Sequence, residues 1–177
     1  MRADDDLFKH RNLPLMLLQA RERLLARFRP ILNANGVTEQ QWRVVRALHE
    51  GGAKEAWEIA ERCQISSPSL AGVLARMDDM GLVTRQRLEH DQRRLLVSPT
   101  PKAQAMARQM AAAIERTYQS LEASVGPDLV DRCYGVVDEL LSVFDRIDAE
   151  QAPPAKASAA ARPVPSASAR SGSAASR

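Results

Sequence analysis

The hydrophobic period of this chain changes at Gly81. Before that residue, apolar side chains recur at the spacing of one helical face: Leu70, Val73, Leu74 and Met77. After it, two short runs rich in Leu, Val, Thr and Arg, Leu82–Leu88 and Leu95–Ser98, flank the polar turn Glu89–Arg93. Runs of this length favour strands, so the sequence predicts a helix followed directly by a two-stranded hairpin.

Caps and stops divide the rest of the first 150 residues into helices. Thr38 and Gln41 form a capping box, and Thr100 with Pro101 is a typical helix start. The predicted helices are Leu13–Asn33, a second with Trp42, Val45 and Leu48 on one face, Ala53–Cys63 with an apolar set that includes Trp57, a fourth capped by Ser66 or Ser67, Pro101–Ser124, and Leu129–Asp148. The predicted fold class is mainly α with a small β-hairpin wing: a winged helix-turn-helix joined to a helical dimerisation region.

The last 27 residues differ in composition from the rest. Residues 151–177 consist almost wholly of Ala, Ser, Pro and Arg, and they hold four of the 25 basic residues and none of the 22 acidic ones. They cannot bury a core, so we expect a folded domain at residues 1–150 and a disordered tail at 151–177. The net charge of +3 therefore says little about partners, because the folded part is close to neutral.

Several functional classes find no support in the sequence. No run of about eighteen apolar residues exists, so we expect no membrane association and a cytoplasmic protein. The histidines His10, His49 and His90 have no partner at metal-ligand spacing, and no phosphate loop or catalytic triad is present, which predicts no enzyme, cofactor or metal. Cys63 and Cys133 suit inert packing, with a redox switch as the alternative.

The predicted fourth helix and the hairpin after it carry the candidate DNA-contacting residues. Opposite its apolar face, the helix has mostly small side chains, which let its backbone approach the bases of a major groove. The hairpin concentrates Arg85, Arg87, Arg93 and Arg94 where a wing would touch DNA. The candidates on the helix are Ser67, Ser69, Gly72 and Arg76.

Residues 57–103 resemble the MarR family of transcription regulators. The wing motif of that family is Asp, any residue, Arg, five residues, Leu-Thr, two residues and Gly. Here Asp91, Arg93 and Thr100 match the motif, whereas Pro99 and Ala103 differ from it. The resemblance covers residues 13–148 and implies a DNA-binding lobe at about residues 38–99.

The resemblance also implies roles for the wing residues and for the partners. Asp91 would brace Arg93 so that its guanidinium enters the minor groove, with Arg87 and Arg94 on phosphates. The implied partners are double-stranded DNA with a pseudo-palindromic operator and a second copy of the chain. Residues 17–32 and 38–48 are similar to the subgroup that represses operons for the breakdown of aromatic acids, which implies release by a small aromatic carboxylate.

Arg21 stands out on physical grounds as well. It occupies a position in an otherwise apolar seam formed by Leu18, Leu25, Phe28 and Leu32, where a guanidinium needs an anion. That anion is either an internal carboxylate, with Glu122, Asp138 and Glu139 as candidates, or the carboxylate of a ligand. Trp42 either stacks on a bound aromatic ring or belongs to the core. Arg43, Met16 and His10 are the further candidate ligand contacts.

The long helices predict self-association. They have more apolar surface than a small winged domain can cover, including Met106, Met110, Ile114 and Leu121, so we expect them to bury it against a second copy. A redox-responsive regulator of the same fold and a helical scaffold that does not bind DNA are the alternatives to an acid-responsive repressor. The arginine-bearing hairpin argues against the scaffold, which has no use for it.

Overall fold

The computed structural model describes residues 9–88 and 91–151. Residues 1–8, Glu89, His90 and the tail from Ala152 onward lie outside this range, and with them part of the predicted polar turn and the predicted disordered tail. Within the described residues the elements run in the order α1 (Leu13–Ala34), α2 (Glu39–Gly51), β1 (Lys54–Glu55), α3 (Ala56–Cys63), α4 (Ser67–Asp79), β2 (Val83–Leu88), β3 (Asp91–Pro99), α5 (Pro101–Val125) and α6 (Pro127–Gln151). The predicted fold class is confirmed.

The caps that were predicted from the sequence form at two helix starts. The Thr38 hydroxyl accepts the Gln41 backbone N–H at 3.2 Å, and the Gln41 side-chain oxygen accepts the Thr38 N–H at 2.8 Å. The Thr100 hydroxyl oxygen accepts the Ala103 N–H at 3.2 Å, and the same hydroxyl donates to the Gly81 carbonyl at 2.7 Å. The start of α5 is thereby attached to the end of the α4 segment, which fixes the frame that carries the hairpin.

The sheet has one strand more than the predicted hairpin. Its order is β1-β3-β2, with both pairs antiparallel, and Lys54 and Glu55 of β1 pair with Val97 and Leu96 of β3. Pairing of Lys54–Glu55 delays the start of α3, which begins at Ala56 rather than Ala53. The predicted turn was also too long, because Asp91–Arg93 already belong to β3.

A single hydrophobic core joins the helix-turn-helix, the sheet and the ends of α1 and α5. Its fully buried side chains include Leu48, Ile59, Leu74 and Met77. Two predictions about apolar residues were wrong. Trp57 is 61% exposed rather than part of the apolar set of α3, since it lies at the first turn of the helix, away from the core. The other is the assignment of Met110 and Ile114 to an interface, since both are buried in this core; Met106 and Leu121, assigned with them, are half-buried.

The described chain divides into two compact units, one ending at Pro127 and one beginning at Asp128. The second unit, as far as it is described, is α6. None of its residues is buried, although apolar side chains line one side of the helix. The exposed apolar residues of α6 are Leu129, Tyr134, Val136, Val137, Leu141, Phe144 and Ile147.

Candidate nucleic-acid interface and effector site

Helices α3 and α4 form a helix-turn-helix with a tight connection. Gln64 takes the left-handed conformation (φ 49°), and the Ile65 N–H donates to the Ala60 carbonyl at 3.0 Å, which closes the end of α3. Pro68 lies in the first turn of α4, as predicted. The Ser66 hydroxyl donates to the Ser69 hydroxyl at 2.9 Å and makes no capping bond, so the first N–H groups of α4 have no side-chain cap among the described residues.

The two faces of α4 differ as the sequence predicted. Leu70, Val73, Leu74 and Met77 are each 2% exposed or less and attach the helix to the core. The candidate contact residues lie on the other side, where Ser67, Ser69 and Arg76 are exposed and Gly72 is half-buried. A Cβ placed on Gly72 would lie 3.6 Å from the Arg76 guanidinium and would meet no other atom within 4 Å, so the helix surface here is low and open.

The structure brings Asp91, Arg93, Arg94 and Arg87 together in the hairpin, with an irregular register between Arg87 and Leu88. The Asp91 carboxylate accepts the backbone N–H of Arg93 at 3.0 Å, so its described contact is with the main chain and not with the guanidinium. Among the described residues none pairs with the Arg93 guanidinium, and Arg93 is exposed.

Two other wing arginines pair with acidic residues outside the hairpin. Arg94 binds the Glu55 carboxylate through two nitrogens, with Nε 2.7 Å from Oε2 and Nη2 against Oε1. The hydrogen-bonded Arg94 guanidinium lowers the pKa of Glu55, and the Glu55 carboxylate in turn raises the pKa of Arg94. Arg85 binds Asp78 of α4, with Nε and Nη2 both 2.9 Å from Oδ2.

The predicted ligand residues Arg21 and Arg43 meet at one carboxylate. Arg21 of α1 forms an ion pair with Glu39 in the first turn of α2, and Arg43 Nη2 lies 4.0 Å from the same Glu39 oxygen. Arg29 Nη2 lies 4.0 Å from the other oxygen of Glu39. The internal partner of Arg21 is thus Glu39 and not Glu122, because α1 packs next to the start of α2.

Arg43 also contacts the helix-turn-helix. Its Nη1 donates to the carbonyl of Cys63, the last residue of α3, while its Nε is buried without a hydrogen-bond partner among the described residues. A buried N–H that donates to nothing is unfavourable, so this edge of the guanidinium is suited to an incoming acceptor. Arg43 therefore connects the predicted ligand site to the end of α3.

The other predicted ligand residues are not gathered around Arg21 in a closed pocket. Trp42 is half-buried and packs against the core, whereas Met16 and His10 are exposed. A groove of about 430 Å³ runs between α1 and α5 instead, and none of the five predicted ligand residues lines it. The groove is lined by Arg27, Ile31, Ala113, Arg116, Thr117, Ser120, Leu121 and Ser124.

Comparison with known proteins identifies the family. Residues 35–94 match the sequence profile described as the MarR family. The homoprotocatechuate degradative operon repressor of Escherichia coli is 37% identical over 134 residues, which are 76% of this chain and 90% of that protein. The chain belongs to the MarR family. The resemblance inferred from the wing motif is therefore confirmed, and this MarR-family chain is a transcription regulator rather than an enzyme.

Two solved structures of similar proteins agree with this assignment. The transcriptional regulator PA4135 superposes with a TM-score of 0.73 at 39% identity, covering 76% of this chain and 98% of that one. NadR, solved in complex with 4-hydroxyphenylacetate, superposes with a TM-score of 0.65 at 34% identity and covers 75% and 94% of the two chains. All eight predicted DNA-contacting residues fall inside the MarR match, whereas Arg21, Met16 and His10 precede it.

Membrane, metal and redox functions find little support in the part of the chain that is described. No helix there is long and apolar enough to span a membrane. No three His, Cys, Asp or Glu side chains in that part are grouped as a metal site would need. Cys63 is buried, and its burial raises the pKa of the thiol, which disfavours the thiolate that a redox switch requires. The predicted packing is wrong for Cys133, which is exposed on α6.

Glu39 and Glu55, the two carboxylates that organise the candidate sites, carry no direct signal in the sequence. Both lie at helix starts, where an acidic residue is ordinary. A local signal existed for Glu55, since the spacing Glu55 to Glu58 is that of a capping pair, and the Glu58 carboxylate does accept the Glu55 N–H at 2.7 Å. Their arginine partners are distant in sequence and could be identified only from the fold.

Proposed function

We propose that this MarR-family regulator is a repressor that binds a pseudo-palindromic operator as a homodimer and is released by a small aromatic carboxylic acid. The observation that carries the proposal is the exposed, small-residue face of α4 beside a hairpin with arginines at its tip. This combination fits a helix in the major groove and a wing at the neighbouring minor groove.

On the α4 side, Ser67, Ser69, Gly72 and Arg76 contact the DNA. The short side chains bring the backbone close to the base edges, and the uncapped N–H groups at the start of α4 suit a phosphate. On the wing side, Arg93 enters the minor groove and Arg87 contacts a phosphate. The DNA-binding lobe corresponds to about residues 38–99, in keeping with the resemblance to the family.

Self-association is supported by the surface of the long helices. Helix α6 buries none of its residues within one chain, and α1 exposes a series of apolar side chains near its start. Acidic residues outnumber basic ones on α6, whereas basic residues outnumber acidic ones on α1. Two copies that bury these helices against each other gain both apolar contact and charge complementarity.

The class of inducer is supported by the relatives and by the Arg21 surroundings. The Escherichia coli relative is the repressor of a homoprotocatechuate degradative operon, and NadR was solved with 4-hydroxyphenylacetate. In this chain, Arg21 and Arg43 share Glu39, and Arg43 has a buried donor without a partner. A ligand carboxylate binds Arg21 in competition with Glu39, and Trp42 stacks on the ring. Met16 and His10 contact the ligand at the start of α1.

This location explains how a ligand changes DNA affinity. The Arg21–Glu39 pair connects α1 to α2, which packs on the helix-turn-helix. A carboxylate that binds Arg21 and Arg43 together pulls on Arg43, which also donates to the Cys63 carbonyl at the end of α3, and so favours a different position of the DNA-binding lobe. The acid weakens operator binding only by its preference for that conformation, and the operator weakens acid binding by the same factor.

The test begins with thermal unfolding against a panel of aromatic acids, because a ligand of the folded state raises the melting temperature. The acid that binds is then used to release a fluorescent duplex selected by the protein from randomised DNA. Arg21→Ala should keep affinity for the duplex and lose most of the response to the acid. Arg23→Ala removes the same charge on the opposite side of α1 and should behave as wild type. A normal response in Arg21→Ala contradicts the proposed site.

A further inference from the structure

The wing arginines fall into two groups according to their contacts. The Arg93 guanidinium has no partner among the described residues, whereas Arg94, the next residue along β3, is held by Glu55 through two nitrogens. Glu55 pairs with Leu96 in the sheet, so Arg94 is its diagonal neighbour on the adjacent strand. Neighbours in this geometry are within reach of long side chains, and the contact follows directly from the strand register.

Glu55 is itself fixed to the helix-turn-helix. Its backbone belongs to β1, and its N–H donates to the Glu58 carboxylate in the first turn of α3. Its side chain is only 13% exposed. The Arg94 guanidinium is therefore attached to the start of α3 and not to a mobile side chain.

We propose that Arg94 is a positioning residue, which fixes the wing against α3 through Glu55 so that its neighbour Arg93 meets the DNA, and that it makes no phosphate contact. The inference rests on the proposed contact between the wing and DNA. It replaces the expectation, taken from the family resemblance, that Arg94 binds a phosphate.

The alternative role would require breaking the ion pair. To reach a phosphate with the same nitrogens, Arg94 would leave Glu55, and a mostly covered carboxylate would remain without its partner close to the DNA backbone. That carboxylate would repel the phosphates. With the pair intact, the two charges cancel and the wing is held in one place.

A second ion pair also attaches the wing to the helix-turn-helix. Arg85 of β2 binds Asp78 near the end of α4, so the other strand of the wing is attached to the recognition helix. The hairpin is thus joined to both helices of the helix-turn-helix, through Glu55 at the start of α3 and through Asp78 at the end of α4. These attachments fix the distance between the recognition helix and the wing.

A double-mutant cycle tests the role of Arg94. Wild type first selects a duplex from a randomised pool of about 30 base pairs, roughly three helical turns. Affinity for that duplex is then measured over a range of salt concentrations for Glu55→Gln, Arg94→Gln and the double variant. We expect each single variant to bind about fivefold more weakly, the double variant to bind no worse than either, and the salt slope to stay at the wild-type value.

A phosphate contact gives the opposite pattern. Arg94→Gln would then lower the salt slope by about 0.9, and Glu55→Gln would leave binding unchanged or strengthen it, because it removes a negative charge. Either result overturns the proposal, as does unchanged affinity in both single variants. Thermal unfolding of each variant confirms that it is folded at the assay temperature.

The charge-exchanged variant, Glu55→Arg with Arg94→Glu, covers the case in which a single variant unfolds. Restored affinity relative to Arg94→Glu alone supports a positioning pair, and affinity as weak as that of Arg94→Glu overturns it. Arg93→Ala separates this inference from the one on which it rests. If Arg93→Ala binds as wild type, the proposed wing contact itself is wrong, whatever the cycle shows.

Discussion

Replacing Phe144 by alanine should weaken the homodimer strongly. Phe144 is 51% exposed on the apolar side of α6, and full burial of a phenylalanine is worth about 3 kcal/mol. Covering the free half at an interface contributes about 1.5 kcal/mol in each copy. A twofold interface contains the residue twice, so the variant should lose about 3 kcal/mol, roughly a hundredfold in the dimer dissociation constant.

Sedimentation equilibrium over a range of protein concentrations measures this change directly. Ser142→Ala is the matched control, since Ser142 lies two residues away and therefore on the opposite side of the helix. It should leave the dissociation constant unchanged. The reasoning is refuted if Phe144→Ala dimerises as tightly as wild type, or if the wild-type chain is a monomer at micromolar concentration.

The remaining predictions concern stability and the thiols. Leu74→Ala should lower the free energy of unfolding by about 3 kcal/mol, since Leu74 is 1% exposed in the core beneath α4; a loss below about 1 kcal/mol in denaturant titration would contradict this packing. Hydrogen bonds from Arg46, which has the larger effect, and from Arg62 lower the pKa of Glu50. Because that pKa is lowered, Glu50→Gln should reduce the free energy of unfolding by about 0.5 kcal/mol near neutral pH. The difference in stability between variant and wild type should disappear as the pH falls below about 4.3. A difference that persists in acid would exclude the ion pair as its source. In a Cys133→Ser background, which removes the exposed second thiol, the raised pKa of the Cys63 thiol predicts little thiolate at neutral pH and slow labelling by a thiol reagent in the folded protein, with fast labelling on unfolding; rapid labelling of the folded protein would favour the redox-responsive alternative.

Local signals in the sequence predicted most of the fold. The Thr38 and Thr100 caps need only residues within one turn, and both form as expected. The apolar spacing of α4 correctly separates its buried face from its exposed face. The change of period after Gly81 correctly locates the hairpin. In each case the physical cause acts over a few residues, so the sequence alone is sufficient.

Features that depend on distant residues were missed or assigned wrongly. Two residues are too few to show a strand period, so β1 could be recognised only by its pairing with β3. An apolar stripe shows that a face is covered but not by what, which is why Met110 and Ile114 were assigned to an interface although they lie in the core of one chain. The partner of Arg21 was sought on later helices because the sequence does not show that α1 passes the start of α2.

The strand order β1-β3-β2 leaves β2 on the outer edge of the described sheet, opposite to the short strand β1. An open edge offers backbone N–H and C=O groups to any extended segment, and two copies pairing there could begin to aggregate. Arg85 and Arg87 lie on this edge strand, and a second copy that paired there would have to accommodate their long charged side chains. The basic character of the wing therefore also helps to keep the folded protein dispersed, and variants that remove several of these arginines should be checked for precipitation before any loss of activity is attributed to DNA binding.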